Sequence, residues 1–290
     1  MVAALLLAFR EGLEAALILG IVLSVLRRVG RQEQEKMVWL GAGLAALLSL
    51  AAGVGLYAVG ISFKGRAEEV FEGLIMLFAA GVLTWIVFWM DKQGRQIQAG
   101  LERDVRRAAT RGGWAMFSLA FLAVLREGIE LALFLTAATF TATAAATIVG
   151  GLLGLAASAL AGWLFFAATT RLNVRAFFQV TSILLIFFAA GLLAHGVHEL
   201  NEAGWIPSVV EHVWDINPTL DENSTGGQIL KALFGYNGNP SLTEVVAYVC
   251  YWAIVLVALR RRQTQAVLTA RNHGQSISAL HSSNRVGGDP

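Results

Sequence analysis

The chain predicts an all-α, polytopic membrane protein with seven transmembrane helices, and three observations predict it. Hydrophobic residues fill 56% of its 290 positions and charged residues only 14%, too few to cover a water-soluble domain of this size. Seven apolar stretches reach the roughly 17 to 25 residues that a helix needs to cross a bilayer. Lys and Arg then gather at alternate ends of those stretches, the pattern that keeps basic loops cytoplasmic.

The first stretch, Val2 to Leu26, has the place of a signal peptide but no positive start, and three charges interrupt it, so it reads as a retained span. The others run from Val38 to Gly60, Val70 to Met90, Trp114 to Ala138, Ala146 to Thr169, Phe177 to His198 and Leu242 to Leu259. Arg27, Arg28, Arg31 and Lys36 follow the first span; Lys92, Arg95, Arg103, Arg106, Arg107 and Arg111 follow the third. Arg171 and Arg175 follow the fifth, and Arg260, Arg261 and Arg262 the seventh, whereas only Lys64, Arg66 and Lys231 fall on the other side. The amino terminus is therefore expected outside and the carboxyl terminus in the cytoplasm. Residues 261–290 lack apolar periodicity and are expected to be a disordered cytoplasmic tail, with His273 and His281 as solvated residues.

The net charge of +2 does not point to nucleic acid, because topology accounts for the basic blocks. A single cysteine, Cys250, excludes a disulfide framework, and five methionines are too few for a soft-metal relay.

The main anomaly is a motif that occurs twice within apolar sequence: Arg10-Glu11-Gly12-Leu13-Glu14 and Arg126-Glu127-Gly128-Ile129-Glu130. A charge at a membrane helix centre costs about 2.5 to 3.5 kcal/mol on lenient scales, so such residues face the bundle interior and mark a pathway. Positions three apart share a helix face, which groups Glu11 with Glu14 and Glu127 with Glu130. Arg10 and Arg126 each stand four residues before a glutamate and can pair with it. Fully ionised, the two motifs sum to minus two, a charge suited to a multivalent cation, and an all-oxygen donor set suits a hard one. The competing reading is a pair of self-neutralising ion-pair knots that only lock helix packing.

The motif lies in spans one and four, and Phe78-Ala79-Ala80-Gly81 in span three echoes Phe188-Ala189-Ala190-Gly191 in span six. A three-helix unit used twice must run in opposite directions, giving an inverted 3+3 repeat plus one final helix, with substrate sites expected where the repeats meet. The expected division is repeat 1 over about 1–91, repeat 2 over about 112–200, an outer-face loop over about 199–241 and the last helix over about 242–259, together a membrane domain of 1–260. Chance use of Phe-Ala-Ala-Gly in membrane helices is the alternative for the second echo. Gly12 and Gly128 would allow close approach of the motif helices.

Glu68, Glu69 and Glu72 open the third span and can form a cation-gathering mouth or merely a solvated helix start. His198 and Glu199 near the end of span six are further outer-mouth metal candidates, ahead of His212, while His195, one turn deeper, could be a ligand, a proton carrier or a hydrogen-bonded interior histidine, the last slightly favoured. Glu199, Glu202, Glu211, Asp215, Asp221 and Glu222 make the outer segment acidic, which can recruit cations or dock a partner, with ordinary loop solvation the favoured reading for any one of them. The eight tryptophans lie mostly near span ends and read as interfacial anchors.

Two Arg-Glu-x-x-Glu motifs in the first and fourth of seven spans, in this orientation, resemble the high-affinity, oxidase-dependent iron permease family of fungal plasma membranes and bacterial inner membranes. The resemblance extends to Glu68, Glu69, Glu72 and Gly73, to the stretch from His195 to Trp205, and to Phe234-Gly235-Tyr236. It implies iron as the transported substrate, no tightly bound cofactor, Glu11, Glu14, Glu127 and Glu130 as iron ligands, and a bacterial inner-membrane location. An outer-face oxidase or periplasmic iron-handling protein is the implied partner, with homo-oligomerisation left open. The expected function is thus a non-enzymatic iron permease. Two rivals stay open: a proton-coupled carrier of another hard divalent or organic cation, and an intramembrane metal-dependent oxidoreductase. The last would normally add Glu-x-x-His ligands, which neither motif contains.

Overall fold

The computed structural model describes residues 1–93, 97–167, 174–222 and 224–261. Among these the chain forms helices and no strands: α1 (Val2–Arg28), α2 (Glu35–Ser62), α3 (Arg66–Gln93), α4 (Ile97–Arg111), α5 (Gly113–Thr141), α6 (Ala144–Ala167), α7 (Val174–Glu202) and α8 (Thr225–Phe234). A last helix, α9, covers Leu242–Arg261. Two compact units are distinguished, Met1–Val245 and Val246–Pro290, the second described only through Arg261. Arg95, Thr169, Arg171, Arg262 and the expected tail beyond it, with His273 and His281, lie outside the described residues.

Among the described residues five helices, α2, α3, α6, α7 and α9, are long and apolar enough to cross a membrane. The remaining long ones, α1 with 27 residues and α5 with 29, differ from them by the three motif charges each carries in its middle. The outward faces of α2 and α6 are leucine-rich and exposed, among them Leu47, Leu50, Leu152 and Leu160, an apolar surface that suits lipid rather than water.

Two helices were not anticipated. The stretch between the spans ending at Met90 and starting at Trp114 reads from the sequence only as a basic connection, yet α4 buries Val105, Ala108 and Ala109 against Val22, Val25 and Leu26 of α1 and Met116 and Ala120 of α5. Its arginines, Arg103, Arg106, Arg107 and Arg111, stay exposed on the other side, so the same basic residues that signal topology also form the polar face of an amphipathic helix. Within the expected outer loop, α8 is started by Ser224, whose Oγ accepts the Gly227 amide at 3.0 Å, and stopped by Gly235 in the left-handed conformation at φ +69°.

The long helices pair across the halves of the chain: α1 lies along α6, α2 along α5, and α3 along α7. Glycines record the register. A Cβ on Gly150 or Gly154 of α6 would strike the backbone of α1 at Met1 or Leu5, and one on Gly162 would meet Ala16 at 2.8 Å, so these helices run in parallel. Likewise Gly41 of α2 sits on Phe117 of α5, Gly53 lies against Ala132 and Gly60 near Phe140, again in parallel. In the third pair, Gly73 faces the Gly196 carbonyl and Leu200, while Gly196 faces the Gly73 carbonyl and Leu77, an antiparallel crossing. The Phe-Ala-Ala-Gly echo does not mark this crossing. Gly81 borders open space whereas Gly191 lies against Gly235, so the two copies occupy different surroundings.

Candidate metal centre

The site forms where α1 and α5 meet, and glycine fixes the setting of each helix. Gly12 receives the side chain of Ser158 from α6, and Gly128 receives that of Ser49 from α2, with no space for a Cβ in either place. Each motif helix is thereby held by a serine of its neighbour, with its charged face turned towards the other motif.

Arg10 is fully buried; its Nη1 donates to Glu11 Oε1 and its Nη2 lies 3.1 Å from Glu14 Oε1. On α5 the Arg126 Nε donates to Glu130 Oε1 at 3.0 Å and stands 4.0 Å from Glu127. The expected pairing of each arginine with the glutamate four residues on is present in both copies. The copies differ in exposure, since the Arg126 side chain is 43% accessible and its guanidinium lies 4.8 Å over the ring of Trp89.

Three of the four motif glutamates come together. Glu11, Glu14 and Glu127 each offer an oxygen within 4.8 Å of the others, whereas Glu130 stays outside that trio and is held by Arg126. Glu11 Oε2 and Glu127 Oε2 are buried without a hydrogen-bond partner among the described residues. These oxygens occupy corresponding places in the two motifs. Burying a carboxylate oxygen without a partner is costly, and three carboxylates this close repel one another until a cation or protons join them. An all-oxygen cage of this kind fits a hard cation.

The outer candidates lie on α3 and α7. Glu68 and Glu69 at the start of α3 are half-buried, as is Glu72, which is within electrostatic reach of Glu199 on α7. His198 bridges carboxylates: its Nδ1 is 3.0 Å from Glu244 and its Nε2 is 3.3 Å from Glu202. His195 is buried with Nδ1 at 3.1 Å from the Gly191 carbonyl, which agrees with the interior-histidine alternative, while His212 is exposed.

Sequence reasoning missed Glu244. Its carboxylate is buried and accepts the Ser241 amide at 3.0 Å and Asn237 Nδ2 at 2.8 Å besides facing His198. Next to it, Asn201 Oδ1 accepts the hydroxyls of Ser241 and Thr243 at 2.9 and 2.8 Å. The signal was available: Glu244 is an acid near the start of an apolar span, the same kind of anomaly that exposed the motifs.

A helical membrane bundle that gathers buried carboxylates between two of its helices is the architecture of an ion-translocating protein. The chain matches the iron permease FTR1 family over residues 1–268, and it belongs to that family. It is 38% identical to the ferrous iron permease EfeU of Escherichia coli O6:K15:H31 (strain 536 / UPEC) over 256 residues, covering 87% of this chain and 93% of that one. With the ferrous iron permease EfeU of Yersinia pestis it shares 36% identity over 273 residues, covering 92% and 97% of the two chains. No solved structure matches it.

Proposed function

We propose that this iron permease carries ferrous iron inward across a bacterial cytoplasmic membrane through Glu11, Glu14, Glu127 and Glu130. The observation that carries the proposal is the meeting of Glu11, Glu14 and Glu127 between α1 and α5, with Glu11 Oε2 and Glu127 Oε2 unpartnered among the described residues. Ferrous iron is named for the relatives and agrees with an oxygen-only cage, whose moderate affinity would permit release. Arg10 and Arg126 hold the carboxylates apart from one another and in place until the ion arrives. Glu130 would join as the ion passes, exchanging Arg126 for metal.

In this reading the spans are α1, α2, α3, α5, α6, α7 and α9, with the amino terminus outside and residues 261–290 as a cytoplasmic tail. They form an inverted 3+3 repeat in which α1, α2 and α3 correspond to α5, α6 and α7. The pairings support it, because exchanging the halves turns the α1 with α6 contact into α5 with α2 and leaves α3 with α7 in place. Register supports it too: Met1 and Phe117 face Gly150 and Gly41, and Gly12 and Gly128 face Ser158 and Ser49. Glu68, Glu69, Glu72 and Glu199 would attract cations to the outer mouth, with His198 freed to join them if its carboxylate partners let go. The protein works without a tightly bound cofactor and catalyses no reaction of its own; an oxidase or periplasmic iron-handling protein would set the oxidation state of the iron delivered.

Radio-iron uptake into proteoliposomes, with ferrous and ferric iron supplied separately, tests this against the Glu14→Ala and Glu130→Ala variants. Loss of uptake in both is expected, and undiminished uptake in both would remove the carboxylate pathway. Uptake of another divalent ion with iron untouched would favour the rival carrier.

A further inference from the structure

Arg10 and Arg126 hold corresponding places in the two motifs, yet their surroundings differ. The Arg10 side chain is 0% exposed and lies against two carboxylates of its own helix, Glu11 and, at 3.1 Å, Glu14. Arg126 is 43% exposed, donates from Nε to Glu130 at 3.0 Å and stands farther, at 4.0 Å, from Glu127. Its Cζ lies 4.8 Å from the centroid of the Trp89 ring, inside the reach of about 6 Å over which an aromatic face attracts a cation.

Trp89 comes from α3, near its inner end in the orientation proposed above. Its indole stacks on that of Trp85, one turn earlier, with centroids 6.2 Å apart and planes inclined by 27°. Both tryptophans read from the sequence as interfacial anchors. Trp85 is exposed as an anchor would be, whereas Trp89 is half-buried and presents a ring face to a motif arginine.

An aromatic ring suits this place beside a cation path. It attracts a guanidinium through its quadrupole, has no charge to lose by protonation and offers no oxygen to a hard metal ion. A carboxylate there would compete with the site for iron. Glu130 stands outside the trio of Glu11, Glu14 and Glu127 and is paired with Arg126, so it reaches the ion only by giving that arginine up. The freed guanidinium then needs a partner already beside it, and Trp89 is one.

We infer that Trp89 is a positioning residue for transport: its ring keeps hold of Arg126 while Glu130 exchanges the arginine for iron, so that Arg126, and not Arg10, is the motif arginine that yields. The inference rests on the iron pathway proposed above. Arg126 precedes its glutamates on a helix that ascends from the inner face, which puts the yielding arginine on the exit side.

Two measurements test it. Ferrous uptake into proteoliposomes compares Trp89→Phe, which keeps an aromatic face, with Trp89→Leu, which keeps apolar bulk without one. Trp89→Leu should lower the maximal rate about tenfold, within the span of a cation–π contact, and leave the half-saturating concentration within twofold of wild type, because the trio sets capture. Trp89→Phe should lose less than threefold; equal losses in the two variants, or none in Trp89→Leu, overturn the inference. The second measurement needs no transport and no Trp89→Leu protein. In fluorotryptophan-labelled protein the fluorine signal of Trp89, assigned by its loss in Trp89→Phe, should move in Arg126→Gln. In Glu130→Gln, where the arginine has lost its carboxylate, the signal should stay near its wild-type position. A Glu130→Gln signal that coincides with that of Arg126→Gln would mean the ring does not hold the freed arginine, and an Arg126→Gln signal that does not move would mean no contact exists; either overturns the inference. Failure of the pathway reading appears separately, as undiminished uptake in Glu14→Ala and Glu130→Ala.

Discussion

Glu127→Gln should weaken iron transport by about three decades in apparent affinity while leaving the fold intact. The amide keeps the size of the carboxylate and removes one charge from a trio whose oxygens lie within 4.8 Å of one another. At an effective dielectric of about 20, each carboxylate pair at that distance repels by about 3.5 kcal/mol, so the substitution relieves about 7 kcal/mol from two pairs. A divalent cation about 3 Å from the lost charge forfeits about 11 kcal/mol on the same scale. The difference, about 4 kcal/mol, corresponds to about a thousandfold in affinity. Ferrous uptake into proteoliposomes over a wide range of iron concentration measures it directly, and Glu11→Gln, at the corresponding place in the other motif, should behave alike. A half-saturating concentration and maximal rate both unchanged in Glu127→Gln would refute the reasoning, because no cation held by the trio could ignore the loss.

Arg10→Gln should destabilise the protein by about 3 to 5 kcal/mol, since it leaves Glu11 and Glu14 buried without their cation, whereas the partly exposed Arg126 should cost less when changed to Gln; thermal denaturation in detergent ranks the two, and equal losses would contradict the burial difference. Gly128→Leu should force α5 off Ser49, lowering stability by about 1 to 3 kcal/mol and abolishing uptake, while Gly81→Leu, beside open space, should leave both near wild type. Glu244→Gln should lose about 1 to 3 kcal/mol through its bonds to His198, Asn237 and Ser241, read as a fall in the melting temperature; an unchanged value would mean those bonds carry no net stability.

The motif was legible because apolar sequence makes charge conspicuous: Arg10, Glu11, Glu14 and their counterparts could be found by counting. Their gathering followed from helical spacing, but Glu130's position outside the trio did not, since side-chain reach is set by packing rather than by sequence separation. The helix α4 was hidden by its own arginines, which were read as topology; Leu101, Val105, Ala108 and Ala109, at helical spacing, held the missing signal. In α8 the run Thr225-Gly226-Gly227 opens the helix with poor helix formers, so only its Ser224 cap and the Gly235 stop announce it. The crossing of α3 and α7 at Gly73 and Gly196 was out of reach, because small residues are frequent in membrane helices and only backbone proximity picks out the pair that meets.

The serines seated on Gly12 and Gly128 tie each motif helix to a partner from the other half of the chain, α1 to α6 and α5 to α2. Two blocks result, each tightly packed internally, and the seam between them carries the carboxylate trio as well as an apolar cluster in which Val22, Val25 and Leu26 meet Val38, Met116 and Ala120. Any rocking of block against block must then change the distances among Glu11, Glu14 and Glu127 themselves. The cage would tighten or slacken as the protein moves, so that grip on the ion and progress through the transport cycle become one mechanical variable.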